Sequence, residues 1–286
     1  MTVTNKLAKV HRRMRKFYNW QRNSIPFLSG DAFADSADFQ AFPPRLRLNQ
    51  NSKSSVSDAK VIFCPSHFAK EFVEENFKNI TARVLIFGNS DEEFQDLDFS
   101  LPSSVRHVFA QNYLSNNSEL ISGIPIGLEN LRLGNNGRPK LIRSSNLVDN
   151  GRILVGPFSM THEERKEFEV GELLADSRIE YFDGRISPEL YSRLVQDFKL
   201  IACPRGNGID THRFWETLYR GSIPIVKDSI WIKNFQFLQR HVAITQSWGL
   251  RDILRIIEND RYPKFNPQNI KELWWPYWKS RISSYL

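Results

Sequence analysis

At 286 residues the chain is long enough for two domains, and 41% apolar with 25% charged residues is a globular composition that excludes collagen, low-complexity disorder and disulfide-stapled mini-proteins. The formal charge is +7, yet residues 1–30 carry Lys6, Lys9, Arg12, Arg13, Arg15, Lys16 and Arg22 without one acid. Removing those seven from 39 leaves 32 basic against 32 acidic side chains, so the body lacks the basic face a nucleic acid would need and no nucleic-acid partner is expected. Cys64 and Cys203, far apart and each followed by Pro, give neither a disulfide framework nor a zinc-ligand spacing. No apolar run approaches the roughly 18 to 20 residues of a membrane-spanning helix. The N-terminal segment also lacks the apolar core of a secretory signal, so the expected location is the cytoplasm.

Residues 3–20 would set Leu7, Val10, Met14, Phe17 and Tyr18 on one stripe of a helix ringed by Arg and Lys. The plainest reading docks that stripe on the body. A second reading lays residues 6–22 on an anionic membrane surface, peripheral on its inner face, and an organelle transit segment is disfavoured by the scarcity of Ser. Polar residues 46–58 read as a loop before a first strand over 60–64, after which Ser66 caps a helix over 67–77. Strands over 83–87 and 105–110 follow. Residues 134–150, rich in Gly, Asn and Ser, read as a linker between a domain over 1–140 and another over 141–265. In that second half, strands over 152–156, 178–182, 199–203, 222–226 and 241–245 alternate with helices over 162–175, 187–196, 211–220 and 250–258. Such alternation means right-handed crossovers and a parallel sheet, a Rossmann-like α/β domain. A terminal helix within 266–286, packed on the body, gathers Leu273, Trp274, Trp275, Trp278 and Ile282, with Pro276 expected to kink or split it.

The chemistry-bearing run is CPRGNGIDTHRFWETLYRGSIPIV, residues 203–226. Its loop follows a parallel strand, where open α/β sheets bind ligands. Gly206 and Gly208, around Asn207, allow close backbone approach, and Asp210 or Thr211 caps the next helix. That helix start favours an anion, and Arg205, His212 and Arg213 crowd donors around it, so a diphosphate is the natural guest. Glu216 lies one turn deeper, where a carboxylate can accept from ribose hydroxyls. Arg213 with Glu216 is otherwise a plain ion pair at helical spacing, and Trp215, Leu218 and the Ile-Pro-Ile-Val strand read as core.

The run 204–226 resembles the nucleotide-sugar-binding motif of exostosin-like glycosyltransferases: a Pro-Arg-Gly loop, a His-Arg-x-Trp-Glu helix and a Gly-x-Ile-Pro-Ile-Val strand. Weaker similarity covers ILVGPFSMTHEER at 153–165 and AQNYLSNNSELISGIPIGLEN at 110–130. The resemblance implies an α/β fold with two Rossmann-like domains whose parallel sheets face a central cleft, the glycosyltransferase B type. It implies a nucleotide-diphosphate sugar as donor in the C-terminal domain, and a glycan, lipid-linked or protein-linked acceptor on the N-terminal one, in polysaccharide or glycoconjugate assembly. No cofactor and no obligatory metal are implied. Arg165 and Arg213 would hold the diphosphate with Arg205, Glu216 the ribose, and Ser159 and Thr161 would lie near the phosphates. The loop Gly156-Pro157-Phe158 departs from the family by lacking an Asn.

An inverting transferase needs a base from across the cleft, and Glu129, Asp31, Asp35 and His67 are the candidates, Glu129 first. Retaining chemistry would need none. Trp231 and Asp228, after the Ile-Pro-Ile-Val strand, are candidate sugar contacts. A fucosyltransferase-like enzyme is an alternative that lacks its family's acidic Glu-x-x-x-Thr-Glu-Lys loop. Another is a sugar-nucleotide or phospho-ligand binding module without turnover. A nicotinamide dehydrogenase is disfavoured, since no Gly-x-Gly-x-x-Gly follows an early strand.

Overall fold

The computed structural model describes residues 24–42, 52–115, 118–133, 137–142, 151–168, 170–182, 184, 186–259, 262, 263 and 265–286. The basic segment over 6–22 and most of the linker over 134–150 lie outside them. The chain forms two five-stranded parallel sheets flanked by helices. In the first, β1 (Phe39–Gln40), β2 (Val61–Pro65), β3 (Val84–Gly88), β4 (His107–Ala110) and β5 (Ile121–Gly123) lie side by side in chain order. Strands β2, β3 and β4 are buried along their whole length, as a sheet covered on both faces requires, and only His107 at the start of β4 interrupts their apolar runs.

Alternation sorts their side chains. Ile62, Cys64, Leu85 and Phe87 face helix α2 (Ala69–Asn76), while Val61, Phe63, Val84 and Ile86 face helix α1 (Gly30–Ser36) and the terminal helix. The strands expected at 60–64 and 83–87 each begin one residue later, because Lys60 and Arg83 are exposed. Ser66 does not cap α2: its Oγ is buried without a partner and the chain first makes a 3-10 turn over Ser66–Phe68.

The second sheet holds β6 (Ile153–Val155), β7 (Ile179–Tyr181), β8 (Leu200–Ala202), β9 (Ile223–Lys227) and β10 (Ala243–Thr245) in the spatial order β10-β9-β8-β6-β7. Its helices are α3 (Val170–Leu173), α4 (Pro188–Leu194), α5 (His212–Tyr219), α6 (Ile230–Lys233) and α7 (Leu250–Glu258). The helix expected over 162–175 is instead a 3-10 turn, Glu163–Lys166, followed by the four-residue α3. Counted from β6, the order is 2-1-3-4-5, so the winding reverses between β6 and β8. That reversal opens a crevice at the carboxyl ends of these two strands.

The last helix, α8 (Trp275–Ser283), crosses back to cover the first sheet through Trp275, Trp278 and Ile282. The terminal segment is split as expected: a 3-10 turn over Lys271–Leu273 ends at the extended Trp274, and Pro276 sits in the first turn of α8, where a missing N–H leaves nothing unpaired. Among the described residues no helix is long and apolar enough to cross a membrane.

One buried hydroxyl ties the three segments that meet between the sheets. Tyr219, at the end of α5, accepts from Leu28 N at 3.0 Å and donates to Leu273 O at 2.7 Å. Tyr219→Phe should cost about 2 kcal/mol in urea unfolding, because Leu28 N then stays buried and unpaired.

Candidate functional site

Two loops flank the crevice. After β6 the chain runs Gly156-Pro157-Phe158, with Gly156 at φ +81°, and a Cβ there would collide with Phe182 O. After β8 it runs Cys203-Pro204-Arg205-Gly206-Asn207-Gly208, closed by Gly206 N donating to Gly208 O at 3.0 Å.

Arg213, in the first turn of α5, donates to Gly156 O at 2.8 Å and to Pro157 O. Its guanidinium lies over Phe158 at 5.6 Å and over Tyr191 at 4.9 Å. Arg165 donates through Nε to Arg205 O at 2.9 Å and through Nη1 to Ser159 O at 2.6 Å, and also lies over Phe158, at 5.3 Å. One aromatic ring thus carries two guanidiniums. Burial, and then the charge of Arg213, lower the pKa of Arg165 to about 10. Among the described residues no acidic side chain forms an ion pair with either arginine. Both bond to neutral carbonyls, and the carboxylates that act on them, Glu164 on Arg165 and Glu216 on Arg213, do so without an ion pair.

Gly206 belongs to the same surface. A Cβ on it would stand 3.0 Å from Arg165 Nη2 and 3.8 Å from Thr161 Oγ1, so a larger residue would press on the arginine. Ser159 takes part through its carbonyl. Arg205 pairs with Glu93 of the first domain at 2.7 Å, and Asn207 donates to Asp91 Oδ2 at 3.2 Å. His212 Nδ1 lies 2.9 Å from Gly127 O; a carbonyl only accepts, so Nδ1 carries the proton.

Glu216 is buried one turn deeper. Burial raises its pKa and the charge of Glu129 adds to this, while Arg220, His212 and Arg213 pull it down. Beside it lies a cavity of about 20 Å³, room for one water, lined also by Tyr191, Leu141 and Arg220.

Two expectations are corrected. Asp210 does not cap α5 or face the loop. It is buried at the domain junction, accepting from Ile126 N at 2.7 Å and Trp215 Nε1 at 2.6 Å, while its own N–H donates to Asn112 Oδ1 at 2.9 Å. Thr211 is the residue at the cap, in extended conformation, but its side chain makes no capping bond. Trp231 is no sugar platform either: it is buried between Phe214 and Phe235, with ring centroids at 5.1 and 5.5 Å. Asp228 pairs with Lys233 at 3.3 Å.

The base candidates separate. Residues 126–132 form a rail between the domains. Gly127 holds His212, Glu129 is electrostatically felt by Glu216, and Asn130 Oδ1 accepts from Asp31 N at 2.7 Å. Arg132 Nε lies 3.0 Å from each oxygen of Asp31, whose pKa burial nevertheless raises. His67 is exposed in the turn after β2, two strands away from β4, the strand that leads to Asn112 against Gly208. Asp35 lies in α1, where its carbonyl accepts from Lys53 Nζ at 2.7 Å.

Sequence reading passed over Asn89 and met Asn112 only within the resemblance at 110–130; they follow β3 and β4 with φ of +49° and +55°. Asn tolerates this left-handed region, and that tolerance was the available signal. Asn89 ties Asp31 to Asn130, and Asn112 ties the second domain's loop to the first domain. The sequence does hold an Asp-x-Asp triplet, Asp96-Leu97-Asp98, which the metal-free reading counts as absent. Its two carboxylates diverge, Asp96 to Tyr113 and Ser115, Asp98 to Lys70. Among the described residues no group of three or more His, Cys, Asp and Glu side chains is arranged to hold a metal ion. No protein-family model matches the chain, and no curated protein matches it.

Proposed function

We propose that the chain is a glycosyltransferase of the exostosin-like kind, working in the cytoplasm on polysaccharide or glycoconjugate assembly. It moves a sugar from a nucleotide-diphosphate donor to a glycan, lipid-linked or protein-linked acceptor without a metal. The observation that carries this reading is the pair Arg165 and Arg213, neither in an ion pair among the described residues, at the winding reversal of a parallel sheet and beside the start of α5. A diphosphate is the ligand that such charge suits, because negative charge grows on it as the sugar leaves. Preorganised guanidiniums and helix N–H groups stabilise that charge more than they stabilise the bound donor. Glu216 would then meet the ribose, and Glu129 or Asp31 would take the proton of the attacking hydroxyl.

A thermal-shift panel of nucleoside diphosphates and nucleotide sugars, with and without EDTA, tests the reading on the wild type and Glu216→Gln. At a hundred times Kd a ligand adds about 2.7 kcal/mol to stability. That is an upward shift of about 5 °C for a chain of this size. The expected result is a shift by one nucleotide, untouched by EDTA and reduced in the variant. No shift with any nucleotide would overturn the proposal.

A further inference from the structure

The donors that the Arg205–Gly208 loop offers outward are held by carboxylates of the chain itself. Arg205 Nη1 meets Glu93 Oε1 at 2.7 Å and Asn207 Nδ2 meets Asp91 Oδ2 at 3.2 Å. Both acids sit in one exposed stretch after β3, and both partners sit in the loop after β8, so the two contacts bridge the domains across the mouth of the crevice. The bridge is incomplete. Arg205 Nε is buried with no partner, and Nη2 reaches only Asn207 O at 3.4 Å. A guanidinium is built to engage two oxygens of one anion in parallel, and Glu93 uses a single nitrogen.

The geometry points to an internal stand-in for the ligand: Asp91 and Glu93 occupy the anion-binding loop while it is empty and are displaced by the phosphates of an incoming ligand. The proposal rests on reading this loop as an anion site. The exchange favours the ligand for two reasons. A partly exposed one-point ion pair, with side chains 21% and 37% exposed, holds weakly and is easily given up. A phosphate can use Nε and an Nη together, which the carboxylate in place does not. Release also frees the mouth of the crevice, whereas the buried bonds of Asp210 to Ile126 and Asn112 stay behind as the fixed side of the junction. Gly208 makes the arrangement compact, since a Cβ there would stand 3.2 Å from Asp91 O and 3.0 Å from Asn112 Nδ2.

Calorimetric titration of inorganic pyrophosphate into the full chain tests this, with wild type, Glu93→Gln, Asp91→Asn and Glu92→Gln compared at fixed salt. Glu92 lies in the same exposed stretch but only its backbone is hydrogen-bonded, to Ser90 Oγ and Asn112 Nδ2, so its variant reports the general effect of losing one negative charge. The expected result is tighter pyrophosphate binding in Glu93→Gln and Asp91→Asn, by about threefold to fivefold each, with Glu92→Gln close to wild type. Equal tightening in all three variants, or none in any, would overturn the stand-in and leave the anion site in place. Pyrophosphate binding to no variant and not to wild type would overturn both.

Discussion

Arg213→Ala should weaken nucleoside-diphosphate binding by about a hundredfold, the loss of a charge-assisted phosphate contact worth roughly 3 kcal/mol. It should also destabilise the fold, by about 2 kcal/mol. Read from spacing alone, Arg213 is a helix-surface residue with little bearing on stability. In the fold it holds Gly156 O and Pro157 O and is packed between Phe158 and Tyr191. Its removal frees the β6 loop and halves the positive charge over Phe158. Arg165 would recover toward its ordinary pKa, since the Arg213 charge is one of the causes holding it down. Arg213→Lys separates the two roles. A lysine restores charge without bridging two carbonyls or stacking flat on a ring, so binding should recover in part and stability hardly at all. Calorimetry with the nucleotide and urea unfolding read the two effects. Full binding in Arg213→Ala would remove the arginine pair from the anion site.

How much the sequence disclosed depended on whether partners were local. The buried strands β2, β3 and β8 were legible because parallel strands covered on both faces show unbroken apolar runs. Helix α7 was legible because its apolar spacing persists over nine residues. Strand β1 has only two residues, and β5 carries the half-buried Ser122 between Ile121 and Gly123, so neither shows an unbroken apolar run. The helix expected over 162–175 gives way where Arg165 donates to Arg205 O, 40 residues away, so a distant carbonyl overrides local propensity. The motif from Cys203 to Val226 announced itself through glycines, arginines and a helix start, yet which of its polar residues face the crevice was not legible. Asp210 looks like a cap and is claimed by Ile126, 84 residues earlier. Trp231 looks like a rim aromatic and belongs to the core.

Asp210 carries the largest stability effect expected of any single substitution here. Asp210→Ala strips acceptors from Ile126 N and Trp215 Nε1, both buried donors, and should cost about 4 kcal/mol. Asp210→Asn keeps the shape but turns one acceptor into a donor, for about 2 kcal/mol. Because these bonds join the rail at 126–132 to the start of α5, either change should also loosen the junction that presents His212 and Arg213. The pH dependence identifies the carboxyl itself. Burial pushes its pKa up to about 8, against the pull of the Ile126, Trp215 and Thr211 donors. An unfolded Asp titrates near 3.8, so the folded protein holds a proton that the unfolded chain has lost. The resulting stabilisation is complete below pH 3.8 and is lost as pH rises toward about 8. The stability of the wild type relative to Asp210→Asn should therefore fall across that window, as measured by urea unfolding at several pH values. A relative stability that rises across it would mean that the donors outweigh burial and hold Asp210 ionised.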